Sequence, residues 1–465
     1  MEQKEQKYTR TVALSMVVAN MIGVGVFTSL GFQVIPAADG GIPDAFAILM
    51  IWLLGGVIAL CGAFAYAEVA TALKKSGGEY LYLSKLYHPS LGFASGWISL
   101  VVGFAGAIAS SGIAIGKYSA PVFGINPDDG FDIGGEFIPQ YKLVSVGAVA
   151  LLSWVHIQGV RTGGMVQNIL TSIKIALIAV FCLAPFFVSG YETSGVSFSP
   201  DNDSWDTILS LPFAAALVWV MYAYSGWNAA AYIAGNVENP KRTIPFALIT
   251  GTIVVTIIYV LLNAMFMYVG SFNELAFQED IGNVVALKMF GADVGLIFSG
   301  IFSLALISTM SAMIIAGPRV TEQVGHDYSM FKKLTVKSKG GTPTLAILLQ
   351  GGIAIILILI SSFDQLIQTI GITLSVFSLL TVIGVFLVRA KIPASERPVK
   401  TWGYPVTPII FIVATCWMIY SFAKMDTDRI WYSLIAIVSG IILYFVVDGG
   451  RSSKMNNKIE NDNNV

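Results

Sequence analysis

Two apolar stretches of the chain carry residues that interrupt a helix. One reads Met21-Ile22-Gly23-Val24-Gly25-Val26-Phe27-Thr28-Ser29 and the other Tyr222-Ala223-Tyr224-Ser225-Gly226-Trp227-Asn228. Glycine lets the backbone leave the helical ladder. In hydrocarbon every freed N–H or C=O needs a partner, so irregular backbone at membrane depth belongs beside a cavity or inside protein. A half-helix starting near Val26 presents unpaired N–H groups and a positive dipole end, which suits a carboxylate. Thr28 and Ser29 add hydroxyl donors there. A half-helix ending near Tyr224 leaves free carbonyls and a negative dipole end, which suits an ammonium. The two breaks together read as a receptor for a zwitterion, with the carboxylate on the Gly23–Gly25 side and the amine on the Tyr224–Gly226 side. Tyr222 is a candidate lid beside Ala223, Ser225 and Trp227; Asn228 either bonds the ligand or braces the break. Close helix packing is the competing reading of the glycines. A matching break in each half of the chain favours a binding site.

Lys174 is the costliest residue in any apolar run, since a lysine at helix centre is penalised by about 2.5–3.5 kcal/mol on insertion scales. It lies about ten residues from either end of its helix, too deep for easy snorkelling. Its expected role is an internal cation that ties carbonyls of the first break to helix five, in place of a metal ion. If it gives up its proton during a cycle it becomes a proton-coupling site, because burial disfavours the charged form. Glu68 reads as a hydrogen-bonded structural carboxylate, with a proton relay as the alternative. Arg10 before helix one, with Glu322 or Asp327 after helix eight, forms a candidate gate pair. Ser308, Thr309 and Ser311 place hydroxyls on helix eight, facing the site or bonding back to their own helix.

These residues need long apolar elements to hold them. The chain is 465 residues long, 55% hydrophobic and only 12% charged, against about 25% charged in an average soluble domain. Runs near 20 apolar residues recur throughout, which predicts an all-α polytopic membrane protein. Twelve transmembrane helices are expected near 11–35, 44–72, 91–120, 142–158, 164–189, 207–235, 244–270, 293–323, 343–361, 364–390, 405–424 and 429–448. With the N-terminus inside, 21 of the 27 basic residues fall in inside segments and five outside, which supports both termini being cytoplasmic. Residues 1–10 form a cytoplasmic N-terminus. Residues 11–189 (helices one to five) and 207–390 (helices six to ten) form a five-plus-five inverted repeat, each half opening on an interrupted helix. Residues 405–448 add helices eleven and twelve, and the polar tail 449–465 is expected to be disordered.

Other classes fit poorly. The net charge of −1 gives no reason for a nucleic-acid partner. Cys61, Cys182 and Cys416 fall in apolar runs with no disulfide or metal spacing, and His88, His156 and His326 are scattered. No metal, cofactor or catalytic set is therefore expected. A channel needs a continuous ring of polar ligands, whereas the sequence offers two local breaks.

Four motifs carry a resemblance. Gly23-Val24-Gly25-Val26-Phe27 matches a glycine-rich first-helix motif, and Tyr66-Ala67-Glu68 with Ser76-Gly77-Gly78-Glu79-Tyr80 matches a helix-two exit. Ala223-Tyr224-Ser225-Gly226-Trp227-Asn228 with Glu238-Asn239-Pro240-Lys241-Arg242-Thr243-Ile244-Pro245 matches a sixth helix and its following loop. Arg397-Pro398-Val399-Lys400-Thr401-Trp402-Gly403-Tyr404-Pro405 matches the loop before helix eleven. In this order, over nearly the whole length, the chain resembles the amino acid–polyamine–organocation (APC) superfamily, and within it bacterial relatives of the L-type amino acid transporters. The resemblance implies a leucine-transporter-like fold with helices one and six unwound at mid-membrane, and alternating access for amino acids. It implies that the first-helix glycines hold the carboxylate and the sixth-helix backbone holds the amine. It also places Lys174 where sodium-coupled relatives bind an ion, which implies sodium independence. Val24 and Gly235-Asn236 depart from the pattern, removing a side-chain contact to the carboxylate and an acidic gate residue. The expectation is thus a multi-pass cell-membrane transporter, an exchanger or a proton symporter. Its rim, apolar and aromatic with no free counter-charge, favours neutral L-amino acids. A sodium-coupled carrier, or one for polyamines or cationic amino acids on the same fold, is the alternative.

Overall fold

The structure, a computed structural model, describes residues 9–448 apart from 74, 76, 127–128, 134–135 and 339–340. The tail 449–465 and most of the N-terminal segment 1–10 lie outside the described residues.

The first interrupted run forms α1 (Arg10–Met21) and α2 (Val24–Thr28), the latter tightening into a 3-10 turn at Ser29–Phe32. Then come α3 (Ala45–Leu73), the short arm α4 (Gly78–Leu86), and α5 (Pro89–Ile98), which passes through a π turn at Ser99–Phe104 into α6 (Ala105–Ser119). Helices α7 (Tyr141–Gln158) and α8 (Val160–Leu183) close the first half. The second interrupted run forms α9 (Asn202–Ile208), α10 (Leu211–Tyr224) and α11 (Ala229–Tyr232). It is followed by α12 (Pro240–Val269), α13 (Phe272–Leu275), α14 (Ile281–Asp327), α15 (Thr344–Ile360), α16 (Phe363–Lys391), α17 (Val406–Met425) and α18 (Thr427–Asp448).

Local chemistry explains the boundaries. Ser210 accepts from the Phe213 N–H and Pro212 sits in the first turn of α10, a good helix start. Ser362 and Gln365 form a reciprocal capping box, so α15 and α16 separate over two residues. Gly291, at φ 77°, turns the chain inside α14.

A helix occupies each of the twelve expected intervals. Among the described residues nine helices are long and apolar enough to cross a bilayer, or ten if α9 and α10, which meet at 63°, count as one span. This is the fold of a multi-pass membrane protein. Two details differ from expectation. Strands β1 (Gly130–Ile133) and β2 (Glu136–Pro139) pair antiparallel ahead of α7; their Phe and Ile residues favour strand over helix. Helix six is cut within its interval, at the expected break. Ser225 at ψ 141° and Gly226 at φ 97° cut its ladder, leaving only the four residues of α11 and a 3-10 turn beyond. Residues 281–290, ahead of the eighth run, are themselves helical.

The core lies where α12 packs against α1 and α3 and where α14 meets α6 and α8, with α10 held against α3, α16 and α17. Helix α18 stands at the rim with Trp431, Ile435, Ile442, Phe445 and Val446 exposed. Apolar side chains turned outward are what hydrocarbon contact requires.

Candidate functional site

The two breaks meet back to back. The α1 ladder ends at Ile22 (φ −72°, ψ 86°) and α2 restarts after an extended Gly23. No side chain caps the first turn of α2. The Cα of Gly25 presses on α10: a methyl group there would lie 2.6 Å from the Ala223 Cα. Only glycine permits that approach.

Lys174, 1% exposed on α8, reaches the first break. Its Nζ donates to the Ile22 carbonyl at 2.6 Å and to Thr309 Oγ1 at 2.9 Å, with the Ala19 carbonyl at 3.4 Å. Thr309 in turn donates to the Ile22 carbonyl at 3.3 Å. An ammonium has only donors to offer, and here they meet oxygens from α1 and α14.

Tyr259 on α12 joins the two breaks, a link that sequence reasoning missed. Its hydroxyl donates to the carbonyls of Met21 and, at 2.9 Å, Ala223. The available signal was a lone phenol inside the run Ile257-Ile258-Tyr259-Val260-Leu261, away from the interfaces where tyrosine is usual.

A cavity of about 1140 Å³ runs from this level to one end of the bundle. Its inner lining includes Asn20, Ser225, Gly226, Trp227 and Asn228, and its mouth lies between the start of α1 at Thr11 and the end of α14 at His326. Lys337 and His326 also line it and are over half exposed, so the cavity opens at that face.

Each expected residue can now be placed. Ser225, Gly226, Trp227 and Asn228 border the cavity. The Ile22 carbonyl accepts from Lys174 and Thr309, and Gly23 lies against the Thr309 side chain. Val24, Gly25 and Val26 are buried in packing behind the cavity. The Thr28 hydroxyl is spent on the Val24 carbonyl at 2.8 Å, whereas Ser29 Oγ is buried with no hydrogen-bond partner. Tyr222 does not stand over the cavity as a lid: it is buried, its hydroxyl 2.7 Å from Ser110 Oγ. Tyr224 donates to the Trp52 carbonyl at 2.9 Å. At the second break the carbonyls of Tyr222, Tyr224 and Ala223 accept from Ser225 N–H, Trp227 N–H and Tyr259. Ser311 is bonded to His156 Nε2 at 2.9 Å, and Ser308 lies 3.3 Å from Thr171 Oγ1.

The charged candidates sort differently from expectation. Glu68 is fully buried and holds Arg389 (2.8 Å), Arg397 (2.5 Å) and the hydroxyl and N–H of Thr401 (2.7 and 2.8 Å). It therefore fastens α3 to α16 and to the loop before α17. Arg10 pairs with neither Glu322 nor Asp327; its guanidinium stacks on Phe246, 3.4 Å from the ring centre. Glu322 binds Lys337 at 2.8 Å and Asp327 accepts from Tyr80 at 2.6 Å. The reason is geometric, since the open mouth separates α1 from the end of α14.

Sequence reasoning also counted no acidic group on the rim, yet Glu79 borders the cavity. Its Oε1 accepts from Tyr66 and from Asn228 Nδ2, both at 2.7 Å, and its Oε2 accepts from Tyr232. Burial raises its pKa, and the Tyr232, Tyr66 and Asn228 donors pull it back. Among the described residues no group of His, Cys, Asp and Glu forms a metal site.

Two broken helices set against each other over a one-sided cavity, inside a bundle of apolar spans, define a membrane carrier. The chain belongs to the amino acid permease family, whose model matches residues 10–447. It is 28% identical over 446 residues to the serine/threonine exchanger SteT of Bacillus subtilis (strain 168), covering 93% of this chain and 94% of that protein. It is likewise 28% identical to human b(0,+)-type amino acid transporter 1 (93% and 86% covered) and 25% identical to the human cystine/glutamate transporter (96% and 85%). These relatives are transporters, and the chain is not read as an enzyme.

Proposed function

We propose that this protein carries neutral L-amino acids across the cell membrane without sodium, by alternating access, as an exchanger or a proton symporter. The observation that carries the reading is Lys174: a fixed ammonium fills the space between the first break, α8 and α14, with three oxygens around it. A cation already in place removes the need to recruit a metal ion. The amino acid class follows from the family and from three transporting relatives. Neutral substrates are favoured because Lys174 and Glu79, the charges nearest the breaks, are both held by protein groups.

Twelve spans in a five-plus-five inverted repeat, with two further helices, fit the twelve helical intervals and the placing of one break in each half. With both termini cytoplasmic, the basic-residue asymmetry puts the open mouth on the inside, so this conformation faces inward. The substrate carboxylate would meet the N–H groups of the first break and its amine the second. Closing Gly25 against Ala223 belongs to a state in which that first subsite is shut.

Purified protein in liposomes tests this. Uptake of radiolabelled neutral amino acids should persist when choline replaces sodium. Stimulation by internal amino acid marks exchange, and stimulation by an inward proton gradient marks symport. Uptake that stops without sodium overturns the Lys174 argument, and no uptake of any amino acid overturns the function.

A further inference from the structure

Glu79 sits on the arm α4, outside the apolar spans, and is 5% exposed. Its three side-chain donors come from three places: Tyr66 on α3, Asn228 at the second break and Tyr232 on α11. All three are neutral. The carboxylate thus ties the far side of the second break to α3 and α4.

The bond to Asn228 has a chemical consequence. A carboxylate oxygen accepts, so the amide must turn its NH₂ toward Glu79. The amide oxygen then points away from Glu79. Asn228 lines the cavity, and the nearby carbonyls of Tyr222, Ala223 and Tyr224 each already accept a hydrogen bond. The orientation survives protonation of Oε2, because that proton is given to Tyr232 while Oε1 still accepts from Asn228.

We propose that Glu79 is a positioning residue for the amine end of the substrate: it fixes the Asn228 amide so that Oδ1 faces the cavity and accepts from the substrate ammonium. This rests on the amino acid reading above. Glu79 touches no substrate and acts through Asn228.

The arithmetic of donors separates this role from a charge role. In Glu79→Gln one amide oxygen still accepts from Tyr66 and Asn228, and the Tyr232 hydroxyl turns to accept from the new NH₂. In Glu79→Leu nothing orients Asn228. Uptake of radiolabelled L-serine and L-leucine into liposomes gives KM and kcat, and 3-hydroxypropanoate and 4-methylpentanoate, which lack the amine, serve as competitors. Glu79→Gln is expected within about threefold of wild type. Glu79→Leu and Asn228→Ala are expected to raise KM about tenfold or more, the scale of one hydrogen bond to a charged group. Preference for each amino acid over its des-amino acid should fall by the same factor, with inhibition by the des-amino acids unchanged. Asn228→Ala keeps Glu79 with its two tyrosines, so it decides the matter if Glu79→Leu does not fold. Equal losses in Glu79→Gln and Glu79→Leu, or an Asn228→Ala variant with unchanged KM and preference, overturn the proposal. Absence of uptake by the wild type overturns instead the reading on which it rests.

Discussion

Replacing Lys174 by methionine keeps most of the side-chain volume and removes the ammonium. Of its three contacts, the bond to the Ile22 carbonyl at 2.6 Å is the strong one, that to Thr309 Oγ1 at 2.9 Å is intermediate, and that to the Ala19 carbonyl at 3.4 Å is marginal. A hydrogen bond from a charged donor contributes about 1.5–3 kcal/mol net. The Thr309 hydroxyl already reaches Ile22 at 3.3 Å and recovers part of the loss, and relief from burying the charge recovers more. The residual deficit is about 2 kcal/mol, or roughly a 30-fold fall if it is felt in kcat/KM. The assay is initial-rate uptake by Lys174→Met in liposomes, normalised to protein that elutes as a single species. Because the bond joins α8 and α14 to the break itself, the loss should appear in transport before it appears in folding. A variant within twofold of wild-type kcat/KM refutes the reasoning, because it would mean the first break holds its shape without the lysine.

Three further substitutions test the same framework. Tyr259→Phe leaves the Met21 and Ala223 carbonyls without that hydroxyl, at about 1–3 kcal/mol for a buried acceptor left unpaired, and uptake should fall about tenfold; wild-type uptake would show that the breaks are not joined through this group. Gly25→Ala forces a methyl group to 2.6 Å from the Ala223 Cα, and overpacking of this kind costs about 1–3 kcal/mol, so uptake should drop at least about tenfold in protein that is still folded. Glu68→Gln strips the charge from a carboxylate that holds two arginines and Thr401; breaking a buried pair costs about 3–5 kcal/mol, and a melting temperature in detergent equal to wild type would contradict its fastening role.

How much of this was legible in the sequence depends on range. Apolar runs announce helices because bilayer thickness and backbone satisfaction leave little choice. Gly23 and Gly226 announce breaks because glycine is cheap where the ladder is cut. Lys174 announced itself by its cost. What the sequence could not show was who answers whom across the bundle. Tyr259 lies 36 residues beyond Ala223 and 238 beyond Met21, yet its hydroxyl serves both. Glu79 stands in the sequence only as part of the helix-two exit motif; only the fold brings Tyr66, Asn228 and Tyr232 around it. Arg10 failed as a gate partner for the same reason in reverse, since its charge is plain in the sequence but the mouth that parts α1 from the end of α14 shows only in the fold.

The acceptors at the second break bear on the cycle itself. In this conformation Tyr222, Ala223 and Tyr224 have donors from the protein, and Gly25 is sealed against Ala223. On the proposed reading a substrate amine at this break displaces contacts rather than filling bare ones, so only the difference between the new bonds and the old drives any change of state. Tyr259 makes the displacement at one break felt at the other, because its single hydroxyl hydrogen lies between two carbonyls. Any change of state that lengthens its bond to the Ala223 carbonyl leaves that hydrogen to Met21, so the first break tightens as the second loosens. Two local irregularities then respond as one unit, which a carrier exposing a single site to alternate sides requires.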